Sequence, residues 1–223
     1  MDPNRKRWNE GHQKLTCALA SGDRDKAIEL FLIQHAMVHS AKMAKAGLWS
    51  FEDELLNDLT DDQLRIIPPG GEHSIAWILF HLARIEDITM NMLVAGTVQL
   101  FARDNWAEKL NVAIIHSANK MDAESMAKLS AGIDLVALKA YRNAIGRRTR
   151  EIVKKLQAED FKKKVDPIRL QKVMKEGAVT KEAMEIINYW SSRTVAGLLL
   201  MPPTRHSILH LNEALRIKKR LLS

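Results

Sequence analysis

The feature that most limits what this chain can fold into is the spacing of its apolar residues, which is helical almost from end to end. β-Branched and aromatic runs with period-two alternation are missing, and Ala, Leu, Lys, Glu and Met dominate. Apolar positions three to four apart share one face of a helix, and that face must be buried against other helices. The stretch "DKAIELFLIQHAMVHSAKMAKAG" predicts a helix over about 25–46, with Ile28, Phe31, Leu32 and Val38 on its apolar side and Gly47 as its stop. Pro68, Pro69, Gly70 and Gly71 then break the chain.

Further helices are predicted at about 74–98, 133–157 and 180–200, the last ended by Met201-Pro202-Pro203. A final helix covers about 204–221, with Pro203 acceptable in its first turn, where no helical N–H partner is needed. Residues 101–130 read as short helices in a long connection, and short basic turns follow Pro167. Long helices in one chain of this size predict an all-α antiparallel bundle, a single domain over 1–223 with its core at about 25–221.

Several function classes become remote. No apolar run reaches the roughly 18–20 residues that span a bilayer. The longest candidate, "SIAWILFHLARIEDITM", is interrupted by His81, Arg84, Glu86 and Asp87. The basic start "MDPNRKRWNEGHQKL" is not followed by an apolar segment and cleavage site, so a cytoplasmic location is expected. Cys17 is the only cysteine, which excludes an intrachain disulfide and a cysteine-rich zinc site; in "LTCALA" it reads as a packing residue. The net charge is +7, but the basic runs are scattered and the aromatics, 5% of the chain, do not interleave with them. Solvated helix faces explain that charge better than nucleic-acid binding.

Histidines are the candidates for chemistry. In "RHSILHLNEALRIKKRL", His206 and His210 are four apart and therefore share a helix face, a spacing that lets two imidazoles hold one ion. Such a pair arises by chance, and "QHAMVH" supplies a second with His35 and His39. His81 sits on an inward face one turn from Trp77 and Ile85, where its ring nitrogens need partners. Glu86 and Asp87 lie roughly 140° and 120° away from His81 around the helix, so they are poor ligands for the same ion and better placed to pair with Arg84 or a neighbouring helix.

Together, "GEHSIAWILFHLARIEDITMNML" and "RHSILHLNEALRIKKRL" resemble the DinB-like superfamily, which includes the YfiT-type metal-dependent hydrolases. The resemblance covers about residues 25–221. It implies an up-down-down-up four-helix bundle with additional short helices, and His81, His206 and His210 as ligands of a divalent ion such as nickel, zinc or iron. It also implies chemistry of the hydrolase or thiol-transferase kind, with a low-molecular-weight thiol and a small-molecule substrate as partners. Many members continue the last motif as H-x-G-Q, whereas this chain has His210-Leu211-Asn212-Glu213.

Glu213 is open to three readings: a hydrogen-bond acceptor for a ligand histidine, a fourth ligand, or a surface ion pair with Arg216 or Lys218. His35 and His39 can be core residues, pocket-lining groups or a rival ligand pair. His12, His73 and His116 receive no role. Three neutral imidazoles leave an open coordination position, the mark of catalytic rather than structural sites, and an ion there can activate water or a thiol. The competing expectation is a non-catalytic metal-binding or stress-response module with a structural or vestigial site. A homodimer through spare apolar helix faces is also expected.

Overall fold

The computed structural model describes residues 2–71 and 73–222. It is all-α: among the described residues the one β feature is an isolated bridge between Lys164 and Thr194. Six helices organise the chain: α1 (Pro3–Ser21), α2 (Arg24–Met37), α3 (Ile75–Asp87), α4 (Leu135–Lys155), α5 (Met184–Ser191) and α6 (Ser207–Leu222). Short helices fill the connections, as expected for residues 101–130. The contacts of α3 with α4 and α6, and of α4 with α2, are compatible with the four-helix arrangement.

The central element is α3. Ser74 caps it by accepting from the Trp77 amide at 3.0 Å, and every residue from Ile75 to Asp87 is buried. A helix buried on all sides must find partners for its charged groups. Arg84 donates to Tyr141 Oη, Gln99 Oε1 and the Ile115 carbonyl, and pairs with Asp87 at 3.5 Å. Asp87 also accepts from Tyr141 Oη and from the amides of Leu100 and Phe101. A π-helical segment, Ile88–Ala95, continues α3 to the left-handed Gly96.

Three helix boundaries differ from expectation, each for a local reason. The chain begins with α1, capped by Asp2 and started by Pro3, and its Trp8 and Leu15 are fully buried in the core. The same helix turns Cys17 outward, so this thiol is exposed and not the packing residue expected. The helix expected over 25–46 stops at Met37: the His39 carbonyl accepts from Ser50 Oγ at 2.8 Å, and Ser40 caps a separate turn, Ala41–Ala44. The helix expected over 180–200 is broken at Ser192, after which Thr194 caps Val195–Leu199.

The prolines shape the entry to α6. Pro202 and Pro203 lie in a π-helical segment, Met201–His206, that runs directly into Ser207–Leu222. Proline has no N–H to donate, so regular α bonding cannot pass through these positions. Thr204 Oγ1 donates instead to the Leu199 carbonyl at 2.9 Å. Two contiguous apolar clusters surround α3, one containing Trp8, Phe51, Trp77 and Leu211, the other Phe31, Ile85, Trp190 and Leu198. No helix among the described residues is long and apolar enough to cross a membrane.

Candidate metal centre

His81, His206 and His210 converge. Each offers a ring nitrogen, and the three ligand atoms lie within 4.8 Å of one another. His81 Nε2 is 3.2 Å from His206 Nε2, and the ring centroids of His206 and His210 are 4.6 Å apart. His81 comes from the middle of buried α3 at 1% exposure, whereas His206 ends the π-helical segment before α6, His210 lies in the first turn of α6, and both are partly exposed. The π-helical turn before Ser207 carries His206 onto the face of His210.

Hydrogen bonds set which nitrogen two of the rings present. His81 Nδ1 donates to the Ser117 carbonyl at 2.7 Å, so its Nε2 carries the lone pair. His210 Nδ1 donates to Glu213 Oε2 at 2.8 Å, with the same consequence. His206 Nδ1 is buried without a partner. A second hydrogen-bonding group behind a ligand imidazole is the usual way its tautomer is set. Two of three rings are therefore prepared to give Nε2 to a cation, and the donor set of three imidazoles fits a divalent ion of the nickel, zinc or iron kind.

The electrostatics agree. Burial, then the neighbouring His210, pushes His81 down to about 3. Burial, then His81 and His210, holds His206 well below its ordinary value. Both rings are thus neutral near pH 7, the form that binds metal. Burial alone would raise Glu213, but the hydrogen bonds from His210 and His73 outweigh it and hold the carboxyl well below its usual range.

Glu213 Oε2 accepts from His210 Nδ1, the contact that its hydrogen-bond-acceptor reading calls for. Its other oxygen, Oε1, accepts from His73 Nδ1 at 2.6 Å. His73, given no role from sequence, stacks on Trp77 at 3.8 Å between centroids, and Trp77 stacks on His81 at 4.9 Å. The signal was present in the spacing: 73, 77 and 81 are successive fours. What the sequence hid is that Glu213, 140 positions away, ties this stripe to the last helix. A cavity of about 660 Å³ opens over the group, and His73, Trp77, Asn119 and Lys120 line it beside the three histidines.

The rival pair has a different fate. His35 and His39 are buried, and their Nε2 atoms meet Glu86 Oε1 and Oε2 at 2.8 and 2.9 Å. These three ligand atoms also lie within 4.8 Å of one another. Yet the Nε2 protons are engaged by the carboxylate, and both Nδ1 atoms lack a partner to set the opposite tautomer. The pair lines neither this cavity nor its neighbour. Glu86 bridges the two buried imidazoles through both of its oxygens, an arrangement that favours the core-residue reading. Glu86 thus pairs across to a neighbouring helix and Asp87 with Arg84, as their angles from His81 implied. His12 bonds the Leu200 carbonyl, and His116 accepts from the Ala118 amide.

Fold and site together define an all-α protein with an interior three-histidine group open to a cavity on one side. The family model of the DinB superfamily matches residues 52–214, and the chain belongs to that superfamily. The match includes all three histidines and Glu213. No curated protein matches the chain significantly.

Proposed function

We propose that this protein is a divalent-metal-dependent enzyme whose ion, held by His81, His206 and His210, serves transfer or hydrolysis of a small molecule. The observation that carries the reading is the convergence of three ring nitrogens, with two tautomers fixed from behind by the Ser117 carbonyl and by Glu213. A bound divalent ion would supply Lewis acidity, activating water or a low-molecular-weight thiol near neutral pH. The residues do the rest. Ser117 and Glu213 keep the imidazoles aimed, and the Trp77 ring shields one side of His81 from water. His73, held by its Nδ1 hydrogen bond to Glu213, presents its imidazole at the cavity wall.

The non-catalytic alternative draws on the extra histidines and on Glu213 standing where many family members carry an amide. The bonds Glu213 accepts from His210 and His73 support an orienting role instead. The cytoplasmic location and a homodimer belong to this proposal on sequence grounds.

The test is metal content after purification without a nickel column, from metal-replete cells. About one divalent ion per chain is expected, falling towards none in His81→Ala and His210→Ala. A wild-type protein without stoichiometric metal overturns the reading.

A further inference from the structure

Next to the three-histidine cavity lies a second one of about 240 Å³. The two share His206, Asn119 and Glu185 in their walls, so they meet at the ligand end of α6. The rest of the second cavity is apolar or aromatic: Ile85 from α3, Ile186, Tyr189 and Trp190 from α5, and Met201 with Pro202 from the π-helical turn. Ile85 and Trp190, at 5% and 2% exposure, belong to the core, so this wall is fixed by packing rather than by loose surface side chains. Pro202, also buried, adds a rigid ring to the lining.

Size and chemistry narrow what the cavity can hold. An apolar cavity of about 150 Å³ accommodates benzene, so this one has room for a six-membered ring with a short chain. The amide and carboxylate in its lining, Asn119 and Glu185, are those it shares with the first cavity, and Glu185 pairs with Lys120 at 3.6 Å on the far side. Water held among aromatic and aliphatic walls finds few partners, and an apolar group displaces it favourably.

We propose that this cavity is the subsite for an aryl or short alkyl group of the substrate, whose oxygen, nitrogen or sulfur head sits at the three-histidine group. His206 stands at the junction and touches both parts. The substrate class is thereby a small amphiphile with an apolar tail and a metal-ligating head. Any polar remainder occupies the larger cavity beside Lys120 and His73. This inference rests on the metal reading for its head group and on the second cavity alone for its tail.

The probes are acetohydroxamate and phenylacetohydroxamate, titrated calorimetrically into the zinc-loaded full chain. Phenylacetohydroxamate is expected to bind at least about tenfold more tightly, the yield of burying a ring beside a common head. Ile186→Trp and, from the opposite wall, Met201→Trp fill the cavity and should erase that preference while leaving zinc content and acetohydroxamate binding unchanged. Equal affinities in the wild type, or a preference that survives in a folded cavity-filled variant, overturns the inference.

Toluene, which has no head, separates this inference from the metal reading. Saturation-transfer NMR on metal-free protein should show toluene binding in the wild type and its loss in Ile186→Trp. Toluene binding without stoichiometric zinc leaves the cavity assignment standing and sinks the metal reading. Zinc binding with neither toluene binding nor a phenyl preference sinks this inference alone.

Discussion

Glu213 accepts a hydrogen bond from His210 Nδ1 at 2.8 Å, and this contact fixes which nitrogen of His210 faces the other two histidines. The same carboxylate holds His73, so one residue of the last helix orients two cavity-lining imidazoles together.

Removing Glu213 should therefore weaken metal binding without removing a ligand. Glu213→Ala is expected to lower affinity about 10- to 100-fold, the usual effect of losing a group behind a ligand histidine. Glu213→Gln should lose less, because the amide oxygen can still accept from His210 while its NH2 cannot accept from His73. Competition against a chromophoric chelator measures both. Equal affinities across all three proteins would show that Glu213 does not set the tautomer.

The buried triad should behave in the opposite way, affecting stability and not metal. Glu86→Ala strands two buried imidazole N–H groups, at about 1–3 kcal/mol for each unsatisfied group. Urea unfolding should register that loss, and metal content should stay at the wild-type value. A drop of one equivalent of metal in a folded Glu86 variant would make the triad a second site.

Acidification should destabilise the metal-free protein over a defined window. Burial first, then His39, pushes His35 down from 6.5 to about 4. Between those values the unfolded chain binds a proton that the folded chain refuses, so stability is complete above about 6.5 and falls as pH drops towards 4. Glu86 is held well below its ordinary 4.5, where its hydrogen bonds and the charges of His39 and His35 outweigh burial. Its contribution is lost at still lower pH. The urea midpoint at stepped pH values reads this directly; a midpoint flat from pH 7 to 4 would contradict it.

Trp77 should matter twice. Its ring lies between His73 and His81 and is 4% exposed, so Trp77→Ala is expected to cost about 3–5 kcal/mol as a large-to-small core change. Trp77→Phe should keep most of the stability and metal binding. Thermal unfolding with and without zinc separates the two effects: the zinc-dependent shift should shrink in the alanine variant.

What sequence alone made legible followed from short-range periodicity. The apolar period of three to four made the chain all-α, and the four-residue spacing put His206 and His210 on one face. His81 was readable as inward because its neighbours at helical spacing, Trp77 and Ile85, are apolar. Spacing could not rank His206 and His210 above His35 and His39, since both pairs have the same pattern; for that the sequence relied on family likeness.

Tertiary structure distinguishes the surroundings of the two pairs, because a tautomer is set by whatever stands behind the ring. Behind His81 and His210 stand the Ser117 carbonyl and Glu213, leaving Nε2 free for a cation. In front of His35 and His39 stands Glu86, which engages their Nε2 protons. These partners lie 36, 51 and 47 positions away for His81, His35 and His39, and no local period encodes them. The same holds for His73, which the fold joins to Glu213 across the length of the domain. Helices were dictated locally by apolar spacing and caps, and the His210–Glu213 bond spans only three positions, whereas His81, His35, His39 and His73 meet their partners through long-range hydrogen bonds that only packing brings into reach.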